Sequence, residues 1–239
     1  MTTDNKKKSV AFFDVDDTIL RGASGIMLAR YMFLDRGESA SPQYVIDIIR
    51  AYIDSKTGSV EYDDLVMKGL SQFVGRSKAE IEEIGAGLFD RYIRKNIYRM
   101  AYREICEHKK NGVEVVLLTA SLLPLIEPLA DFLDVDYTYA LRIRYDNGQM
   151  LAEAEKPFSY EEGKLILARE YVQERGIDLA DCYFYSDSSS DMPLMEAVGH
   201  PMATNPDPNL LRTALIHNWR IRRFKTVLPP DFKPEYRKR

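Results

Sequence analysis

Apolar and polar positions follow two regimes along this chain. The first is a short unbroken apolar run, Val10-Ala11-Phe12-Phe13, that ends in Asp14-Val15-Asp16-Asp17-Thr18. A run this short, without polar alternation, predicts a strand covered on both faces in a parallel sheet. Helical periodicity then takes over. Ile26, Met27, Tyr31 and Leu34 form an apolar stripe over 24–36, stopped by Gly37. Ser41-Pro42 reads as an N-cap with proline in the first turn, ahead of a stripe of Tyr44, Val45, Ile48, Ile49, Tyr52 and Ile53. Ser59 opens a third stripe (Tyr62, Leu65, Val66, Leu70, Phe73) ended by Gly75. Ser77 with Glu80 is a capping box before Ile81, Ile84, Leu88 and Tyr92. Four amphipathic helices in succession predict a small bundle inserted after the first strand, a cap.

Helices and strands alternate from there on. A helix over 98–110 stops at Asn111-Gly112, and a buried strand over 113–118 is followed by Thr119-Ala120-Ser121. A helix from about Leu122 carries Pro124, which suits an opening turn, and Pro128, which predicts a bend. A strand over 136–143 leads to Asp146-Asn147-Gly148, a hairpin turn into 150–154. A helix over 160–174 precedes a strand over 182–185 that ends in Ser186-Asp187-Ser188-Ser189-Ser190-Asp191. A helix over 192–198, an extended segment over 200–204, a helix over 207–216 and a strand over 220–224 complete the pattern. Repeated βα units of this kind predict the α/β class, a doubly wound, mainly parallel sheet with a Rossmann-like core. The expected division is an α/β catalytic core of residues 1–20 and 97–239 and a helical cap of residues 21–96. A site is expected in the crevice at the carboxyl ends of the strands.

Composition narrows the function classes. The 239 residues carry a formal net charge of -4, so no global electrostatic case exists for nucleic acid or an anionic membrane. The basic runs 6–8 and 237–239 read as solvated tails, and a third lies over 220–225. Cys106 and Cys182 give neither a disulfide framework nor metal-type spacing, and Cys182 falls mid-strand as a core residue. His108, His200 and His217 have no ligand-like spacing and read as structural or solvated. No signal peptide or bilayer-length apolar run is visible, so a cytoplasmic protein without a membrane span is expected. Oligomeric state is not encoded in any visible pattern.

The polar residues at the strand ends carry the chemistry. Asp14 and Asp16 are two apart, so both side chains leave the backbone on one side. Carboxylates this close repel, and a hard divalent cation or a pair of basic side chains is expected beside them. Thr119/Ser121 and Asp187/Asp191 also follow apolar strands, and Lys164 lies in the first turn of a helix. Each has an ordinary explanation alone: a strand-end cap, a serine-rich turn, a solvated lysine. Gathered at one sheet edge, they point to phosphoryl transfer. Asp14, Asp187 and Asp191 offer oxygen ligands to Mg²⁺, while Thr119, Ser121 and Lys164 offer donors and positive charge to phosphate. A metal-bound carboxylate can attack phosphorus to give an aspartyl-phosphate, and Asp16 can protonate the leaving alcohol and then deprotonate water.

These residues resemble the haloacid dehalogenase superfamily of phosphatases. Asp14-Val15-Asp16-Asp17-Thr18 is similar to its first motif, Leu117-Leu118-Thr119-Ala120-Ser121 to its second, Lys164 in Glu162-Gly163-Lys164 to its third, and Tyr185 to Leu194 to its fourth. The helical insertion after the first motif resembles the phosphoserine-phosphatase-like branch. Ala197-Val198-Gly199-His200-Pro201 with Asn205-Pro206-Asp207-Pro208 is similar to the subfamily IB hydrolases within it. The resemblance implies Asp14 as nucleophile and metal ligand, and Asp16 as acid/base that gives Mg²⁺ its main-chain carbonyl. Asp187 would be the second metal carboxylate, with Asp191 a further ligand or a residue that orients the ligands. Thr18, Thr119, Ser121 and Lys164 would hold the phosphate of a small phosphorylated metabolite. Three positions depart from the family pattern. Asp17 stands where Gly or Ser is common, Ser190 where Asn is common, and Ala23 where phosphoserine phosphatases have a Glu that reads the substrate ammonium. Ser24, Met27, Arg30 and Tyr31 lie early in the cap, and Arg30 is the candidate contact to the leaving group. Phosphoserine, histidinol phosphate, phosphocholine-like and lipid headgroup phosphates all remain open as substrates, with Ala23 arguing against phosphoserine itself. A non-catalytic phosphate-responsive switch or binding protein is the alternative from another class, although such a switch has no need of Asp16.

Overall fold

A computed structural model describes residues 8–38, 46, 50 and 70–234. The helix expected over 41–53, most of that over 59–73 and the terminal basic runs, apart from Lys8, lie outside the described residues.

The chain builds a six-stranded sheet in the order β3-β2-β1-β6-β7-β8. Its strands are β1 (Val10–Phe13), β2 (Glu114–Leu122), β3 (Tyr137–Leu141), β6 (Tyr183–Ser186), β7 (His200–Thr204) and β8 (Arg220–Arg222). Every neighbouring pair is parallel. The apolar runs become central strands because both faces are covered. Ala11, Phe13, Val115 and Leu117 enter one core cluster, while Val10, Phe12, Val116 and Leu118 enter the other. Helices α3 (Arg99–Lys110) and α4 (Leu123–Leu133) supply the first face. Helices α5 (Glu162–Gln173), α6 (Met192–Ala197) and α7 (Pro208–Ile216) supply the second. The result is the expected doubly wound arrangement, with β1 at its centre.

Two strand expectations need correction. The segment over 136–143 is not one strand. β3 ends at Leu141, and β4 (Ile143–Asp146) leaves the parallel sheet to pair antiparallel with β5 (Gln149–Ala154). The separation follows from the turn, since Asn147 and Gly148 both adopt positive φ (46° and 79°) and reverse the chain at once. The second buried strand also runs beyond residue 118. Pairing with β3 resumes at Leu122 opposite Leu141 after an irregularity, so Thr119, Ala120 and Ser121 sit within a distorted strand end.

Among the described residues between β1 and α3, the chain forms helices and adds no strand to the sheet. They include α1 (Ser24–Arg30), continued by a π-type turn over Tyr31–Asp35, and α2 (Lys78–Leu88), continued by another over Phe89–Ile93. The capping box at Ser77 and Glu80 forms as expected. The chain leaves and regains the core at one place. Leu20 bridges Ile97, the Arg21 amide donates to the Asn96 carbonyl (2.8 Å), and the Tyr98 amide donates to that of Ile19 (2.8 Å).

Pro128 lies inside α4, so the carbonyl of Pro124 has no helical donor four residues on. Helix α2 packs against this opening turn through Gly85, where an added Cβ would stand 2.2 Å from the Pro124 carbonyl oxygen. Gly85→Ala is therefore expected to lower stability by about 1–3 kcal/mol in chemical denaturation.

Behind the site, Phe13 of β1 stacks on Tyr185 of β6, with ring centroids 4.2 Å apart and planes within 6°. The Tyr185 hydroxyl donates to Glu104 (3.1 Å) and, having one proton, receives a hydrogen bond from Nε2 of buried His108 (2.8 Å). Burial holds the imidazole pKa down at about 4. The unfolded chain thus binds the proton more readily, and stability is lost as pH falls from about 6.5 toward 4. Between pH 7.5 and 5 this residue is expected to account for about 2 kcal/mol of lost stability. His108→Phe should remove that component when denaturant midpoints are compared at the two pH values.

Candidate active site

The three expected polar signals converge at the carboxyl ends of the central strands. Asp14 follows β1 directly, and its amide continues the sheet by donating to the Tyr185 carbonyl (2.9 Å). Lys164, in the first turn of α5, places Nζ 2.7 Å from Asp14 Oδ1 and 2.8 Å from Asp191 Oδ2. All three residues are buried. Ser186, the last residue of β6, donates to the same Asp191 oxygen (2.6 Å). Gly163 makes this placement of Lys164 possible, because a Cβ there would lie 1.8 Å from the Phe158 carbonyl oxygen. Burial pushes the Asp14 carboxyl upward against the pull of Lys164. Burial alone would lower the Lys164 pKa, but the Asp14 and Asp191 carboxylates outweigh it and hold the ammonium charged.

Asp16 and Asp17 occupy the turn after Val15. Both oxygens of Asp16 are held by Ser24, which donates its amide to Oδ1 (2.8 Å) and its hydroxyl to Oδ2 (3.0 Å). Burial, with Asp14 adding repulsion, raises the Asp16 pKa to about 7. A carboxyl in that range can hold and release a proton near neutrality. Asp17, where the family pattern has a small residue, is explained by its backbone. Its φ of 55° is left-handed, its side chain accepts the Gly22 amide (3.0 Å), and its carbonyl accepts from Asn205 Nδ2 (3.1 Å).

The remaining expected residues lie nearby with defined partners. The Thr18 hydroxyl is directed to Asp187 Oδ1 at 3.5 Å, and Thr119 Oγ1 accepts the Ser121 amide (3.2 Å). The Ser121 hydroxyl lies 2.6 Å from that of Ser24. Ser190 meets the Ser188 hydroxyl at 2.9 Å. Among the described residues, no three carboxylate, histidine or cysteine side chains gather into a metal cage. Residues not singled out for these roles in the sequence frame the loops. Asp207 Oδ2 accepts the Ser189 amide (2.7 Å), its own amide donates to the Asp187 carbonyl (2.8 Å), and Asn205 Oδ1 accepts the Phe224 amide (2.7 Å). The Asn205-Pro206-Asp207-Pro208 stretch was the visible signal for this brace.

Arg30 is exposed and stands apart from the carboxylates, with its guanidinium carbon 5.5 Å from the centroid of the Tyr92 ring. It lines a cleft of about 390 Å³ with Arg21, Met27, Tyr92 and Lys95, next to the 21–24 loop that holds Asp16. This lining contains three cations and no carboxylate.

Replacing Lys164 by Met leaves Asp14 and Asp191 buried without their shared cation. In chelator, a loss of about 3–5 kcal/mol in denaturation free energy is expected.

Comparison with known proteins agrees with this geometry. A family model described as haloacid dehalogenase-like hydrolase matches residues 11–196. The "Inhibition of morphological differentiation protein" of Streptomyces azureus is 31% identical over 90% of this chain and 78% of its own length. A histidinol-phosphatase of Neisseria meningitidis is 25% identical over 91% of this chain and 100% of its own. A structure of a protein of unknown function from Bordetella pertussis superposes with a TM-score of 0.81, at 25% identity, over 90% of this chain and 98% of that one. Among the described residues, no helix is long and apolar enough to cross a membrane. With the family match spanning most of the chain and the sheet carrying these side chains at its strand ends, the chain belongs to the haloacid dehalogenase-like hydrolases and is an enzyme of that family.

Proposed function

We propose that the chain is a Mg²⁺-dependent phosphomonoesterase that hydrolyses a small phosphorylated metabolite through an aspartyl-phosphate on Asp14. The observation that carries this reading is Lys164 buried between Asp14 and Asp191, with a second carboxyl, Asp16, held two residues beyond the first. One lysine does not neutralise two buried carboxylates, so a further cation fits the site. The donor chemistry suits a hard ion. Asp14, Asp187 and the Asp16 main-chain carbonyl are oxygen donors, and buried Oδ1 of Asp191 has no protein partner. Mg²⁺ keeps several waters and needs only one or two carboxylates, so an all-protein cage is not required. When bound, the ion supplies charge stabilisation to the phosphoryl oxygens. Asp191 is assigned to orienting Lys164 through Oδ2 and to the metal through Oδ1.

The steps balance on the chain's own groups. An Asp14 oxygen bonds to phosphorus as the ester P–O bond breaks, and the Asp16 carboxyl gives its proton to the departing oxygen. Asp16 then takes a proton from water as that water bonds to phosphorus. The bond from phosphorus to Asp14 breaks, and inorganic phosphate leaves. Lys164 and Thr119 are assigned to the phosphoryl oxygens. Thr18 and Ser121 are assigned there as well, although in this structure their hydroxyls engage Asp187 and Ser24. Residues 1–20 and 97–239 form the catalytic core on this reading, and 21–96 the cap.

The leaving group is assigned to the cleft that contains Arg30. Three cations suit a leaving group with its own negative charge and disfavour an ammonium. Histidinol phosphate, which the Neisseria relative's name suggests, is therefore the weaker candidate.

A phosphomonoester panel tests the reading. Turnover is expected in Mg²⁺, a rate about 100-fold or more lower in chelator, and no turnover in a folded Asp14→Asn variant. Esters with an anionic leaving group should exceed histidinol phosphate in kcat/KM, and Arg30→Ala should narrow the gap. Turnover that survives Asp14→Asn, or is indifferent to chelator, overturns the mechanism.

A further inference from the structure

We infer that Ser24 is the positioning residue for proton transfer by Asp16, an inference that rests on the phosphomonoesterase reading. Ser24 is buried, and both of its donors face one carboxyl group: the amide on Oδ1 at 2.8 Å and the hydroxyl on Oδ2 at 3.0 Å. Two donors from one residue fix the plane of the carboxyl as well as its position, as a bidentate contact does. The hydroxyl has a single proton. With that proton on Asp16, the 2.6 Å contact to Ser121 must run from the Ser121 hydroxyl to Ser24 Oγ. The direction of the chain is therefore Ser121 to Ser24 to Asp16, from the distorted end of β2, through the first residue of α1, to the acid. A proton on one of the outer lone pairs of the carboxyl leaves this direction unchanged, with Ser24 still donating to Oδ2. Ser24 leaves the outer lone pairs of the carboxyl free for the departing oxygen and the attacking water.

The Ser24 donors engage Asp16 and not Asp14, so removal of its hydroxyl should weaken proton transfer while leaving in-line attack by Asp14 intact. The test is Ser24→Ala in the full chain with Mg²⁺, which keeps the amide and deletes the hydroxyl, measured against substrates of graded leaving-group basicity. For alkyl phosphates, which need a proton on the departing oxygen, kcat/KM is expected to fall about 30-fold or more. For dinitrophenyl phosphate, whose phenolate leaves unprotonated, it should fall by less than about threefold. With that substrate, Ser24→Ala should also release a burst of one phenolate per enzyme, because hydrolysis of the phosphorylated Asp14 still needs the base. Ser24→Thr, which restores the hydroxyl, should recover the alkyl phosphate rate.

An equal loss for every leaving group, without a burst, would mean a purely structural contact and overturn the inference, as would no loss at all. A wild-type protein silent on every ester would instead remove the phosphatase reading. The two failures are thereby distinguishable.

Discussion

Lys164 Nζ holds together parts of the chain that are distant in sequence. Its two hydrogen bonds join the end of β1, the first turn of α5 and the loop after β6. The cost of burying Asp14 and Asp191 beside each other makes this contact obligatory, because neither carboxylate can be left in the interior unopposed. The requirement propagates outward. Lys164 reaches the strand ends only because α5 begins against the Phe158 carbonyl, and only glycine at 163 permits that approach. Ser186 donates to Asp191 and also accepts the Ser188 amide, so the charged cluster shapes the backbone that carries Asp187.

A second set of constraints acts on the backbone. Asn205 anchors the carbonyl of Asp17 and the amide of Phe224, while Asp207 anchors the amide of Ser189 and the carbonyl of Asp187. The loops after β1 and β6 are thus braced by the loop after β7, on the next strand of the sheet. Left-handed φ values at Asp17 and Asn205 give both loops tight, defined shapes. A site assembled from three loops gains its rigidity from these cross-loop bonds more than from any one element.

Much of this was legible in the sequence, and the exceptions have physical causes. β1 and β6 could be read because strands covered on both faces leave apolar runs with abrupt polar ends. The capping box at Ser77 and the turn at Asn147-Gly148 could be read because their chemistry is local. The extent of β2 could not, since pairing of Leu122 with Leu141 is a non-local event across an irregular stretch. Lys164, Asp14 and Asp187 were visible through order and spacing. The contact of Ser24 with Asp16 was not, because a serine opening a helix ordinarily signals a cap. Here the helix is capped by Ala23, which contributes no side-chain bond, and the serine's donors turn outward to the acid. Asp17 resisted sequence reading for a similar reason, as its role is carried by φ and main-chain bonds.

The point where the chain leaves and regains the core has a consequence for how such a protein can change. Leu20 and Ile97 are hydrogen-bonded neighbours, so the two ends of the intervening segment lie side by side. Extending or shortening the parts of that segment that do not pack on the sheet layer adds only the slowly growing entropy of a longer or shorter loop. Asp14 and Asp187 at the strand ends and Lys164 in α5 are held by bonds outside that segment, whereas Asp16 is tied to it through Ser24. Insertion and deletion there can reshape the cleft lined by Arg21, Arg30 and Lys95 while β1 and β6 keep their register.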